Sequence, residues 1–286
     1  GTAFADEFIA KASTQVILVA EQIVSTEEIR NRPQETFLPA YRVGAVVHEP
    51  WGAHPTSSPG HYDYDYDGLQ EYQQAARDPK SFQEYIRKYV LEVSSWKEYL
   101  DRALTPSRMQ RLRYDPRLGY SSEIAEVVTC GGFTGDLPDE CTRNEMMIVA
   151  AARQIREGEI AIVGTGLPMA ATALAMHTHA PNLNYIVETG IGDLMPVHAS
   201  LSVADTRLLG AARPAFVRNI LEALGFLVQR GLADVGFLGG AQIDMYGNLN
   251  ATCIGDYAKP KKRFPGSGGA NPIASSARRI LTIIRH

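Results

Sequence analysis

The chain has 286 residues, is 45% hydrophobic and 21% charged, and carries a formal net charge of -4 at pH 7. This is globular composition with room for one large or two medium domains, and its mild acidity excludes a general nucleic-acid binder. The three cysteines, Cys130, Cys141 and Cys253, show no metal-type spacing and are odd in number, so no metal is expected and a reducing, cytoplasmic compartment is.

Residues 6–12 have helical character, and 15–20 form a short run rich in β-branched residues, which predicts a helix and then a buried strand that exits at Glu21. That run is far too short to span a bilayer and no basic leader precedes it, so no membrane association is expected. A second strand is predicted over 41–47, running into 48–60, whose prolines and glycines forbid regular structure. The tract 61–67 alternates aromatic and acidic residues and reads as a solvated loop, because alternation alone does not converge oxygen ligands on a cation. From 69 to 104 the pattern is helical, with Tyr72, Phe82, Tyr85, Ile86, Tyr89, Val90 and Val93 at three- and four-residue intervals as core candidates. Arg108, Arg111, Arg113 and Arg117, with Pro106, Pro116 and Gly119, make 105–122 an exposed connector. The expected organisation is 1–104, the connector 105–122, and 123–286.

Beyond the connector the pattern changes. Thr142 and Glu145 form a capping box before a helix over 146–157, which Gly158 ends. A strand at 159–163, a turn at 164–168 and a helix at 169–179 follow; then a strand at 183–187, a helix around 214–229 and a strand at 235–238. Strands and helices taking turns predict an α/β fold, an open and mostly parallel sheet with crossover helices. Residues 239–250 read as a hairpin with a Gly247-Asn248 turn. The chain opens on Gly1 without Met and closes on a strand-like run at 278–286, so it reads as part of something longer.

Glu188 is the first candidate for chemistry. It ends an apolar run and is followed by Gly190 and Gly192, and a strand end delivers a side chain to the rim where α/β folds bind ligands. A carboxylate before a glycine also serves as a turn cap. Gly164, Thr165 and Gly166 sit between strand and helix, where backbone N–H groups can meet an anion, but Met169 occupies the third small position of a dinucleotide fingerprint. Lys259, Lys261, Lys262 and Arg263 precede the glycine-rich stretch 266–271, a combination suited to phosphates and equally found in a solvated charged turn. His177 and His179 are two residues apart and do not share a helical face, His198 follows Pro196, and Ser57 and Ser58 lack a nucleophile elbow. Cys130, before Gly131 and Gly132, is the best thiol candidate but has no assigned base.

Taken in order, the motifs at 164–168, 187–190, 239–250, 254–257 and 266–271 resemble the β subunit of family I CoA-transferases, most closely the glutaconate CoA-transferase branch. Residues 19–24 and 45–55 resemble the strand exit and the proline-rich loop of that family's α subunit. The resemblance therefore implies the C-terminal part of α joined to the N-terminal part of β, in a three-layer α/β fold built from two incomplete halves.

The resemblance implies that Glu188 attacks an acyl-CoA carbonyl, passes through a mixed anhydride and becomes a glutamyl-CoA thioester that a second carboxylate takes apart. In that reading Gly268 and Gly269 donate N–H groups to the developing oxyanion. Gly164, Thr165, Gly166, Gly190, Asn248, Asn250 and Ser267 line the substrate site, and the four cations hold CoA phosphates. Coenzyme A is a co-substrate and no cofactor stays bound. The implied partners are acyl-CoA, a small carboxylic acid, and either further copies of the chain or a complementary subunit. Hydrolysis of CoA thioesters or esters on the same scaffold, and an inactive fragment, are the alternatives.

Overall fold

The computed structural model describes residues 5–123, 140–164, 166–194, 216–217 and 219–284. The chain divides into two units, residues 7–131 with residue 1, and residues 132–286 with residues 2–6.

The first unit opens with α1 (Asp6–Ala12) and β1 (Ile17–Ala20), placed close to expectation, but the strand expected to be buried is exposed at Ile17 and Val19. An unforeseen helix, α2 (Thr26–Asn31), follows because the Ser25 side chain accepts the Glu28 N–H at 3.1 Å, capping the helix start. The predicted strand at 41–47 is shorter. Residues Ala40–Arg42 turn as a 3-10 helix after Pro39, and β2 spans Ala45–His48, pairing parallel with β1 in the register Ile17 to Ala45.

The helical stretch from 69 to 104 is broken into α3 (Tyr66–Ala75), α4 (Pro79–Ile86), a π-helical turn (Arg87–Leu91) and α5 (Trp96–Ala103). Each break has a local cause: Asp78 caps the Ser81 N–H ahead of Pro79, and Ser95 caps the Glu98 N–H. The aromatics pack on one another, with ring centroids 5.6 Å apart for Tyr72 and Tyr85 and 4.8 Å for Tyr85 and Tyr89. Only Tyr89 of the predicted core set is buried, so they form a half-exposed cluster.

Two expectations are corrected here. The tract 61–67 is not a solvated loop: Tyr62, Asp63 and Asp65 are buried. Tyr62 stacks on Trp51 at 4.2 Å, Asp63 accepts the Ser121 N–H, and Asp65 caps α3 through the Gly68 N–H. Nor is 105–122 an exposed connector. It forms α6 (Pro106–Leu112) and the short antiparallel pair β3 (Tyr114–Asp115) and β4 (Tyr120–Ser121). Leu104 and fully buried Leu112 join Trp51 and Tyr62 as the core of the unit, and the Asp63 N–H donates to the Leu112 carbonyl. The arginines signalled exposure, but the apolar side of α6 decides its placement.

The second unit is a three-layer α/β sandwich. Its helix α7 (Arg143–Ala152) begins on the expected Thr142/Glu145 capping box, yet ends well before Gly158. Two turn-type bonds, Gln154 N–H to Ala151 and Ile155 N–H to Ala152, close the chain early and bury Ile155. Then come β5 (Ile160–Val163), α8 (Leu167–Thr178), β6 (Asn184–Val187) and β7 (Ile191–Gly192). Within the span predicted as one helix, Phe216–Val217 is a strand, β8, and the helical part, Leu221–Val228, is π-helical. The chain continues through β9 (Val235–Gly239), the hairpin β10 (Gln242–Ile243) with β11 (Leu249–Asn250), and the hairpin β12 (Cys253–Gly255) with β13 (Pro260–Arg263). It ends in α9 (Ala270–Ser276) and β14 (Arg279–Ile283).

The sheet order is β14-β9-β5-β6-β7-β8, with the first four strands parallel. Alternation sorts the strand side chains into two cores. Ala161, Val163, Tyr185, Val187, Val235 and Phe237 pack with α7 and α8; Ile162, Ile186 and Leu238 pack with Val228 and Ile273 on the other face. Gly236 lies under Ile273, whose Cγ2 would be only 2.4 Å from a β-carbon added there, so α9 seats low on the sheet because that strand position is bare.

Candidate functional site

The site follows from where the parallel strands stop. Val163 and Val187 are register partners, so Gly164 after β5 and Glu188 after β6 leave neighbouring strands side by side at their C-terminal rim. The chain crosses from β5 to β6 on one side and returns to β9 on the other side of β5, which makes this rim the switch point of the sheet. Glu188 is half-buried there, and Gly190 turns the chain with φ 94° and its N–H on the Val187 carbonyl at 3.0 Å. Such a φ is open to glycine and strained for other residues.

The residue that meets Glu188 is 81 positions later. The Gly269 N–H donates to Glu188 Oε2 at 3.3 Å. Gly269 is buried, and a β-carbon there would lie 2.5 Å from Glu188 Oε2 and 3.2 Å from Leu224 Cδ1. The approach of carboxylate and backbone therefore requires glycine at 269. Leu224, on the π-helical segment, is the neighbour that sequence reading missed; the apolar character of 221–228 marks burial but not contact with an acidic side chain.

The other expected site residues divide clearly. Gly268 (φ 48°) and Ser267 are exposed immediately before Gly269, and the Ala270 N–H closes on the Ser267 carbonyl at 2.8 Å. Gly166 (φ 90°) precedes α8, and Thr165, like His198 and Cys130, lies outside the described residues. Asn248 and Asn250 are occupied inside their hairpin. Asn248 donates to both Asp244 carboxylate oxygens, through N–H and Nδ2, while Asn250 donates to Gln242 Oε1 and the Cys253 carbonyl and accepts the Thr252 N–H.

The cation cluster is a strand rather than part of a glycine loop. Lys261, Lys262 and Arg263 are exposed on β13, where the register with β12 shifts between Ile254 and Gly255 and leaves Lys261 without a strand partner, and Lys259 lies just before the strand. Arg263 is engaged by Tyr257, donating to its carbonyl at 2.7 Å and lying over its ring at 4.7 Å; Lys262 lies over Phe264 at 5.3 Å. Backbone bonds from Phe264 N–H to Thr252 and from Gly266 N–H to Ala251 lead the chain from this hairpin to Gly269.

The first unit holds a separate buried ionic network. His54 Nε2 lies 3.1 Å from Asp65 Oδ2 and its Nδ1 2.8 Å from the Tyr99 hydroxyl, while Arg108 donates twice to Asp65 Oδ1 and also pairs with Glu123. Burial opposes the charged form of Asp65, but the bonds from His54, Arg108 and the Gly68 N–H outweigh it and hold its pKa at about 2. Glu21, at the predicted strand exit, accepts the Trp51 N–H and the Tyr62 hydroxyl at 2.8 and 2.9 Å. These contacts explain the carboxylates of this unit as structural partners. Among the described residues, no group of three or more His, Cys, Asp or Glu is placed to hold a metal, and no helix is long and apolar enough to cross a membrane.

A family model described as Coenzyme A transferase matches residues 144–286. The B-type chain of the 3-oxoadipate CoA-transferase of Pseudomonas knackmussii is 45% identical over 50% of this chain and 54% of its own length. Both chain types of the glutaconate CoA-transferase of Acidaminococcus fermentans match. The B-type chain is 42% identical over 49% of this chain and 53% of its own length, and the A-type chain is 35% identical over 44% of this chain and 39% of its own length. The chain thus spans about half the length of the curated B-type relatives it matches. A crystal structure of an acyl-CoA transferase from E. coli O157:H7 shares the fold, with a TM-score of 0.55 and 15% identity over 98% of this chain and 38% of the other.

Proposed function

Because the chain belongs to the coenzyme A transferase family, which its match over 144–286 shows, we propose that it moves CoA between an acyl-CoA and a free carboxylic or dicarboxylic acid, with Glu188 as the nucleophile. The observation that carries this is the half-buried Glu188 carboxylate held by the Gly269 N–H at the rim of the parallel sheet. A Glu188 oxygen attacks the thioester carbonyl; the carbon–sulfur bond breaks, CoA leaves as thiolate, and a mixed anhydride remains. The thiolate then attacks the Glu188 side-chain carbonyl and expels the first acid, leaving a glutamyl-CoA thioester. An incoming carboxylate runs the two steps in reverse. Dividing one acyl exchange into such steps is what a carboxylate nucleophile provides.

Gly269 has a defined part in this sequence. Its N–H faces Glu188 Oε2, the oxygen that becomes an oxyanion whenever sulfur or carboxylate adds to the side-chain carbonyl. A donor fixed at that oxygen stabilises each tetrahedral intermediate without reorganisation. Gly268, one residue earlier, is the second donor in this reading. Lys259, Lys261, Lys262 and Arg263 supply positive charge for the CoA phosphates from the β12–β13 hairpin, and Gly164, Thr165, Gly166, Gly190 and Ser267 border the substrate. The chain works in association with a complementary chain, since both chain types of the glutaconate enzyme match parts of it.

Incubation with acyl-CoA, followed by intact-mass and peptide mapping, tests the mechanism. A CoA adduct on Glu188, cleaved by hydroxylamine and absent from Glu188→Gln, is the expected result. Transfer to a free acid that survives Glu188→Ala sinks the nucleophile assignment, and release of acid without transfer indicates a hydrolase on the same scaffold.

A further inference from the structure

The segment Leu221–Val228 winds as a π-helix, a rare form that is frequent at functional sites. Asn219 caps its start, Oδ1 accepting the Glu222 N–H at 3.0 Å, and the wide turn closes at Leu224, whose carbonyl accepts the Gln229 N–H, five residues on, at 3.0 Å. The winding decides which side chains meet the sheet. Ala223 and Val228, five apart, are both buried, whereas α-helical winding would turn Phe226, three residues after Ala223, toward the same side, and Phe226 is 68% exposed. Leu224 and Leu227 both pack against the core that holds Ile186 and Ile273. Leu224 does more. Its two methyl groups converge with Glu188 Oε2 on the space beside Gly269: a β-carbon there would lie 3.2 and 3.4 Å from Cδ1 and Cδ2 and 2.5 Å from Oε2. A leucine anchored in the core thus flanks the carboxylate that the Gly269 N–H holds.

We propose that Leu224 is a positioning residue that decides the fate of the intermediate on Glu188, keeping CoA transfer ahead of hydrolysis. The inference rests on the Glu188 reading above and deepens it. A glutamyl-CoA thioester has two ways out. The carboxylate oxygen of an acid can add to the side-chain carbonyl and break the carbon–sulfur bond, which begins the return to acyl-CoA and free Glu188. A water oxygen can add to the same carbon instead; the carbon–sulfur bond breaks, CoA leaves as thiolate, the Glu188 carboxylate is restored, and one water proton goes to the thiolate and the other to solvent. Leu224 disfavours the second route in two ways. Its methyl groups fill space beside the carboxylate, leaving the side chain less room to move off the Gly269 N–H. They also offer no hydrogen bond to a water, which needs at least two polar partners to stay, and the Gly269 N–H at that spot is already committed to Oε2. An acid is held by the rest of its own contacts and does not depend on such local partners.

The test uses the full 286-residue chain with its complementary chain, acetyl-CoA as donor and isotope-labelled acetate as acceptor. Intact-mass measurement follows the loss of the CoA adduct in buffer alone and with acetate. In Leu224→Ala, loss to water should quicken at least ~10-fold relative to loss to acetate, since excluding water is what protects a reactive intermediate. Leu224→Met, of similar volume, should restore the parent ratio to within about twofold. Leu227→Ala removes the same bulk from the same core and should also leave the ratio within about twofold. If Leu224→Ala does not fold in a thermal melt, Leu224→Val, which loses one methylene, should move the ratio in the same direction by about threefold. An unchanged ratio in a folded Leu224→Ala or Leu224→Val chain, an equal shift in Leu227→Ala, or a Leu224→Met ratio that matches Leu224→Ala overturns the role of Leu224 and leaves Glu188 standing. Absence of any adduct on Glu188 in the parent chain overturns the Glu188 reading and this inference with it.

Discussion

Replacing Gly269 by alanine isolates the contact on which the proposed chemistry depends. The backbone at 269, φ -74° and ψ 0°, accepts alanine without strain, so the perturbation is confined to one methyl group. That methyl would stand 2.5 Å from Glu188 Oε2 and 3.2 Å from Leu224 Cδ1. Ordinary non-bonded contact needs roughly 1 Å more than the first of these distances, so the carboxylate has to swing away. The N–H bond at 3.3 Å is then broken or badly bent. Loss of one oxyanion donor slows acyl chemistry by about 10² to 10³, or about 3 to 4 kcal/mol of barrier, and misplacement of a reacting group by about 1 Å costs on the order of 10². Glu188 is only half-buried and can move, so the melting temperature should change by no more than a few degrees. The assay is the rate of CoA-adduct formation on Glu188 by rapid quench and mass spectrometry, with a thermal melt alongside. An adduct rate within about threefold of the parent, in a variant that folds, would refute the reasoning from geometry to donor role.

Three further outcomes follow from the same structure. Gly236→Ala places a methyl 2.4 Å from Ile273 Cγ2 and 3.2 Å from Ala277 Cβ in a closed layer, and should destabilise the second unit by about 1 to 3 kcal/mol in denaturant melts. Asp65 has a folded-state pKa of about 2 against an ordinary 3.8, so its contribution is fully present above the unfolded value and is lost as pH falls from about 4 to about 2. The shift is equivalent to about 2 kcal/mol, and the acid slope of first-unit stability in that window should flatten in Asp65→Asn. Lys261→Ala combined with Arg263→Ala should raise the KM for acyl-CoA by roughly threefold to tenfold, leave kcat within about twofold, and weaken its dependence on salt, as steady-state kinetics at two ionic strengths will show.

What the sequence disclosed, and what it hid, divides along physical lines. The second unit was legible because its strands are short β-branched runs between helices, and the parallel register then places Gly164 beside Glu188 with no further information. The Thr142/Glu145 box and the β10–β11 hairpin were equally readable, since their bonds are local. Gly269 meeting Glu188 was not visible in spacing; the family resemblance brought the two together, and the bond between them spans 81 residues. The tract 61–67 failed for the same reason. Asp63 and Asp65 are buried because His54, Arg108 and the Ser121 N–H reach them from distant segments, and no local pattern announces such partners. At 259–263 the charges were read as joined to a flexible glycine-rich loop, whereas 260–263 form a strand paired with β12, a partner that composition does not announce.

The bare position at Gly236 has a consequence beyond packing. Ile273, which rests on it, is one helical turn after Gly269, so the depth at which α9 sits on the sheet also sets how closely the Gly269 N–H overhangs Glu188. The strand thus acts as a gauge for the rim: a methyl added in the middle of β9 lifts the helix and retracts a donor it never touches. Core and rim carboxylate cannot vary independently here. Any change in the bulk of residue 236 has to be matched at residue 273 if the carboxylate and the amide are to stay within bonding distance.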